Sequence, residues 1–172
     1  MTRQPITLTL PALLALPALL ALVALLALPA LADTGVNFDG LKTDPTAPLQ
    51  VTADQLSVSQ ADGSALFSGH VVVTQSEMEL QAATVTVVYD KISKSIAELR
   101  ASGGVTVKAG TNVAAADAAV YTVSTSGLVM TGHVILTMAQ ATIAGESLIL
   151  NLTTGLGTMT GRVTTTFTPA KK

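Results

Sequence analysis

Cysteine and tryptophan are both absent from the 172 residues. Without thiols the chain can build neither a disulfide framework nor a thiolate metal site, so its stability has to come from burial and backbone pairing. Aromatic residues are only 3% of the composition, which leaves few large rings to fill the space between packed layers. Charged residues are 12% and the net charge is −2, too weak a balance to attract nucleic acid, and no nucleic-acid partner is expected. Long apolar runs of helical period are also missing after residue 32. The alanine-rich stretch 113–120 could pass for a helix by propensity, but its alignment with Val- and Leu-rich neighbours argues for a strand.

The first 32 residues are a different kind of polymer. Arg3 supplies a positive start, a Leu/Ala run follows, and Ala30-Leu31-Ala32 forms the small-x-small pattern of a signal peptide cleaved after Ala32. The alternative is a retained anchor, since residues 4–32 carry no charge and are long enough to reach across a bilayer, although Pro11, Pro17 and Pro29 interrupt them. The expected organisation is a signal peptide over 1–32, a polar lead-in over 33–47, one domain over 48–168 and a tail over 169–172.

What is present is repetition. Phe67-Ser68-Gly69-His70-Val71-Val72-Val73 returns as Ala101-Ser102-Gly103-Gly104-Val105-Thr106-Val107, Met130-Thr131-Gly132-His133-Val134-Ile135-Leu136 and Met159-Thr160-Gly161-Arg162-Val163-Thr164-Thr165. Its period of two means a strand with one buried face, and a glycine inside such a pattern marks a bulge or a close approach. A second phrase precedes each copy: Val51-x-Ala53-x-x-Leu56-x-Val58, Leu80-x-Ala82-x-x-Val85-x-Val87, Val113-x-Ala115-x-x-Ala118-x-Val120 and Ile143-x-Gly145-x-x-Leu148-x-Leu150. Its parity slips midway, as expected of a strand that bends at a corner to keep its apolar side inward. Bent strand, turn and glycine strand therefore recur as one unit.

Catalytic chemistry finds little support. His70 and His133 share one outward slot with Gly104 and Arg162, so they are expected in solvent rather than as ligands, and no metal site is expected. Glu77 and Glu79 fall on one strand face, opposite Met78 and Leu80, and read as a solvated edge. No serine sits in a nucleophile elbow, and no helix follows Gly103-Gly104 to hold phosphate. Lys91, Lys94, Arg100 and Lys108 read as a basic solvated loop. An enzyme is not expected.

The inner face, by contrast, is long. It comprises Leu49, Val51, Leu56, Val58, Phe67, Val71, Val73, Leu80, Val85, Val87, Val105, Val107, Val113, Val120, Met130, Val134, Leu136, Ile143, Leu148 and Leu150. These residues could form a dry core, as in a structural β-repeat protein, or a slot that an acyl chain partly fills. Burying a methylene contributes about 0.8 kcal/mol, so about ten methylenes would hold a lipid by several kcal/mol, and a row of similar slots could conduct it. The two end edges, residues 49–58 and 162–167, offer unpaired backbone to partner strands. Head-to-tail pairing of such unlike edges generates an open filament.

Pro48-Leu49-Gln50-Val51-Thr52-Ala53-Asp54, the run from Phe67 through Val73-Thr74-Gln75, and Met130-Thr131-Gly132-His133-Val134-Ile135-Leu136 leading to Ala144-Gly145-Glu146-Ser147-Leu148 resemble the OstA/LptA family of periplasmic lipopolysaccharide transport proteins. The resemblance covers about residues 46–167. It implies an all-β fold, a β-jellyroll of two antiparallel sheets packed as an open V and built from about four repeats. It further implies a periplasmic bridge that binds lipopolysaccharide through its lipid A acyl chains and passes it from inner to outer membrane, without a cofactor. The implied partners are LptC-like inner-membrane and LptD-like outer-membrane jellyroll domains, together with further copies of the chain in head-to-tail association. An anchored LptC-like jellyroll is the alternative if residues 4–32 are retained. The alanine-rich third bent strand departs from the family pattern, so the interior there is expected to be wider or shallower.

Overall fold

Valine and threonine alternating with small residues favour extended backbone over helix. The structure, a computed structural model, describes residues 36–37, 44, 46–61 and 63–168. The signal peptide or anchor, most of the lead-in, Asp62 and the tail expected at 169–172 lie outside the described residues. Eleven strands follow one another: β1 (Val36–Asn37), β2 (Leu49–Thr52), β3 (Gln55–Ser59), β4 (Ser64–Gln75), β5 (Met78–Tyr89), β6 (Ile96–Ala109), β7 (Asn112–Thr122), β8 (Gly127–Met138), β9 (Ala141–Asn151), β10 (Leu156–Thr160) and β11 (Thr164–Phe167). One 3-10 turn, Val123–Thr125, joins β7 to β8, and no α-helix occurs among the described residues.

All pairings are antiparallel and run β1-β10-β9-β8-β7-β6-β5-β4-β2, with β3 also on β4 and β11 also on β9. Every long strand pair shifts register at one shared level, at Ser68/Val71, Gln81/Thr84, Ser102/Val105, Ala115/Ala118 and Thr131/Val134, and β5 and β6 shift a second time at Val88/Tyr89, near the end of β5. The breaks between β2 and β3 and between β10 and β11 fall on the same line. One corner therefore crosses the whole sheet and divides it into two halves that close face to face as a V-shaped β-jellyroll. The first half carries β3, the first part of β4 and the residues paired with it; the second carries β2, β11 and the remaining parts of the long strands.

The corner is built by the glycine phrase. Gly132 and His133 have φ of 79° and 47°, and together they oppose the single residue Asp117. Two residues against one is a bulge, and it turns the strand while restoring its parity. Gly69-His70, Gly103-Gly104 and Gly161-Arg162 repeat the same positive-φ pair.

Cross-strand rows show what the corner preserves. In the first half one inner row reads Leu56, Phe67, Val85, Ala101, Ala119, Met130, Leu148 and Met159, and the next reads Val58, Ala65, Val87, Leu99, Tyr121, Leu128 and Leu150. In the second half a row reads Val51, Val73, Leu80, Val107, Ala114, Leu136, Ile143 and Thr165. The buried members of both halves belong to a single hydrophobic cluster.

Two residues expected inside are outside. Val113 stands opposite Lys108 and Thr137, and Val120 opposite Arg100 and Val129, all on the outer surface. The buried residues of β7 are Ala114, Ala116, Ala119 and Tyr121, one position along. A run of alanines has no apolar alternation of its own, so matching its valines to those of the other copies selected the wrong face. Over this strand, where the interior is expected to be wider or shallower, the inner face carries the buried ring of Tyr121. The segment assigned to the lead-in also contributes structure, since Val36 and Asn37 pair with Gly157 and Leu156 of β10.

Gly132 and Gly104 separate two costs at the corner. A Cβ on Gly132 would lie 2.8 Å from Asp117 Cβ, whereas one on Gly104 would meet nothing within 4 Å. Both sites have positive φ. Gly104→Ala is expected to cost about 1 kcal/mol from backbone strain alone and Gly132→Ala at least about 2 kcal/mol. Urea unfolding measures both, and equal losses would contradict the close approach to Asp117.

Candidate functional site

The apolar face enclosed between the two halves continues past the folded centre to the edges of the sheet. Val71, Val73, Leu80, Val85, Val87, Val105, Val107, Met130, Val134, Leu136, Ile143, Leu148 and Leu150 are buried between the halves. Leu49, Val51 and Phe67 are partly buried and pack against that core. Leu56 and Val58 share the inner face through their pairing with Phe67 and Ala65, yet β3 is an edge and leaves them 54% and 65% exposed. At the other edge Phe167 pairs with Ala141, two positions along β9 from the buried Ile143, and is 76% exposed. The inner face thus surfaces at both ends of the sheet.

Sequence reasoning missed part of this face. Leu99 and Leu128 are fully buried two residues before Ala101 and Met130, so extending each glycine phrase backward by one step of its own period would have found them. It also missed the polar groups inside. Tyr121 Oη donates to Gln75 Oε1 at 3.1 Å, and Gln75 Nε2 donates to the Ala47 carbonyl at 3.1 Å. Burial pushes the Tyr121 phenol above its ordinary pKa, partly offset by a hydrogen bond with Ser126.

The outer corner carries the charge. His70 Nδ1 donates to Asp54 Oδ2 at 2.7 Å, and His133 Nδ1 donates to Asp117 Oδ2 at 2.8 Å. Both pairs are exposed, and each histidine holds its proton because its partner carboxylate has acceptors only. A groove of about 410 Å³ lies beside the second pair, between His133, Glu146 and Arg162. Among the described residues no three His, Cys, Asp or Glu side chains cluster as a metal site. Glu79 accepts from Gln81 Nε2 at 2.6 Å and faces Lys108 Nζ at 3.8 Å. Arg100 Nε reaches Glu98 Oε1 at 2.5 Å. Lys108 stands at the opposite end of β6 from the turn that holds Lys91 and Lys94, so the four basic residues do not form one loop.

A family of proteins described as LptA/(LptD N-terminal domain) LPS transport protein matches residues 50–156, well over half of the chain. An uncharacterized protein of Rhizobium meliloti (strain 1021) is 27% identical over 130 residues, which cover 71% of this chain and 70% of that protein. The crystal structure of LptH, the LptA homologous periplasmic component of the lipopolysaccharide transport device of Pseudomonas aeruginosa, superposes with a TM-score of 0.67. The alignment covers 74% of this chain and 99% of that one at 20% identity, a likeness that establishes the fold.

The corner pairs set a pH response. For both histidines the hydrogen bond to the aspartate is the larger cause, and its charge the smaller, of a pKa raised above 6.5. A raised folded value means that the pairing is fully present below about 6.5, the ordinary histidine value, and is lost as pH rises through the higher folded value. Titration followed by NMR is expected to place both histidines above that value, and Asp117→Asn to return His133 alone toward it. No movement of His133 in that variant would contradict the pairing.

Proposed function

The chain belongs to the LptA/LptD N-terminal domain family of LPS transport proteins, and from that premise we propose that it is a periplasmic carrier that holds lipopolysaccharide by its lipid A acyl chains. The acyl chains lie against the inner face, and the sugar headgroup stays in water. The direction of passage is from inner to outer membrane. No covalent chemistry is involved, so the protein's contribution is to shield methylenes from water at a free energy nearly equal from one carrier unit to the next.

The observation that carries this reading is the exposure of inner-face side chains at both edges of the sheet. Leu56 and Val58 at one edge and Phe167 at the other continue the buried rows into solvent. A repeat protein built only around a dry core would share the closed centre but has no use for apolar ends. A carrier that hands lipid to a neighbour needs them, because the acyl chain must remain covered while it crosses the junction.

The same edges provide the docking sites. Among the described residues β2 and β3 have no outer neighbour on one side, and β11 has none on the other. Jellyroll domains of the LptC and LptD type, or a second copy of the chain, would add strands there by backbone pairing, with the apolar ends meeting across the joint. Thr165 stands opposite Ile143, in the row that holds Val73, Val107 and Leu136 elsewhere, so the aliphatic row ends where a partner's own apolar row would begin.

Site-specific photocrosslinking tests the route. Probes replacing Val51 and Leu56 are expected to label with lipopolysaccharide, and probes replacing His70 and His133 on the outer corner to label weakly. Equal labelling of inner and outer positions would contradict the carrier role of the inner face.

A further inference from the structure

Two residues break the repeat on the inner face, and they meet. Tyr121 occupies the row position that Val58, Val87 and Leu150 fill in the other bent strands. Gln75 ends its glycine strand four residues after Val71, where Ala109 and Met138 stand after Val105 and Val134. Both are 2% exposed. Their 3.1 Å hydrogen bond is made in aliphatic surroundings, where such a bond is stronger than in water and where an unmet partner is costly.

Their positions relative to the corner give the pair leverage. Tyr121 lies in the first half of the sheet, next to the 3-10 turn that ends β7. Gln75 is the last residue of β4 in the second half, as far from the corner as that strand reaches. The bond therefore spans the interior on the side opposite the line of bulges. Gln75 is itself anchored by its amide on the Ala47 carbonyl. The first-half row nearest the corner is small where it passes β6 and β7, at Ala101 and Ala119, and Ala109 and Ala114 are small in the second half, so the phenol occupies width that alanine leaves.

We infer that Tyr121 and Gln75 form a latch that holds the two halves closed, and that its release is the step that admits an acyl chain to the interior. This rests on the carrier reading above. In the closed state Val85, Val107, Met130, Val134, Leu136 and Leu148 are fully buried, so an entering chain has to part the halves. The bulge line serves as the hinge. The latch is a polar contact that opening must break, and methylenes offer it no replacement.

The natural absence of cysteine makes the test clean. The Gln75→Cys/Tyr121→Cys double variant is joined by a short cleavable thiol–thiol linker and assayed with fluorophore-labelled lipopolysaccharide. The unlinked variant is expected to bind, the linked form to lose binding, and cleavage of the linker to restore it. Undiminished binding by the linked form would overturn the latch and leave the carrier reading standing, whereas no binding by the wild-type chain would overturn both. Tyr121→Phe removes one hydroxyl and keeps the ring. It is expected to speed lipid association about 2- to 10-fold, the factor that corresponds to one hydrogen bond of ordinary net strength, and to speed amide exchange at the end of β4. Unchanged association and exchange in that variant would also overturn the latch.

Discussion

A pleated strand alternates its side chains without exception, so it cannot turn a corner and keep one face inward unless a residue is added or skipped at the bend. The rest of this domain depends on that constraint. The alternate long strands β4, β6 and β8 meet it at the same height, by setting two left-handed residues against one on each neighbour. Because the bulges align, they act as one hinge line across the sheet. The apolar rows on either side of the line then close on each other, and a single continuous sheet provides both walls of the interior.

The corner also separates two chemistries. Inside it, aliphatic side chains exclude water, and the described buried polar groups are hydrogen-bonded. Outside it, the residue after each bulge glycine projects beside the residue that opposes the bulge: His70 beside Asp54, His133 beside Asp117, and Arg162 with Glu146 against the neighbouring Gly161. In the remaining copy Gly103-Gly104 faces Ala83, and both slots are neutral. Charge and counter-charge therefore change together from copy to copy, and the solvent side of the hinge stays balanced while the inner side stays dry. The carrier role proposed above belongs to the inner side.

Much of this was legible in the residues. The parity slip between Leu80-x-Ala82 and Val85-x-Val87 announced a corner, and the glycine phrases located it, because large aliphatic side chains report which face they occupy. The same logic failed at β7. Alanine is tolerated on either face, so the strand gave no alternation, and Val113 and Val120 were placed inside when their partners are Lys108 and Arg100. Shifting the phrase by one residue aligns Asp117 with Asp54 and Glu146, a match that the acidic residues offered and the valines concealed. The Tyr121–Gln75 contact was out of reach for a different reason. It joins residues 46 positions apart on opposite halves of the fold, and no local period carries such information. The edge at β10 depended likewise on a distant segment, Val36–Asn37, whose two residues are too few to read as a strand.

In the carrier role proposed above, the V opens around an acyl chain. Pulsed electron paramagnetic resonance on the chain spin-labelled at Glu77→Cys and Ser124→Cys measures it directly, since these exposed turns cap the two halves on the side away from the corner. A second pair, Glu77→Cys and Thr111→Cys, lies within one half and serves as the reference. On binding lipopolysaccharide the first distance is predicted to lengthen and the second to stay fixed. Both distances unchanged, with lipopolysaccharide bound at one molecule per chain, would contradict an interior that opens to carry lipid.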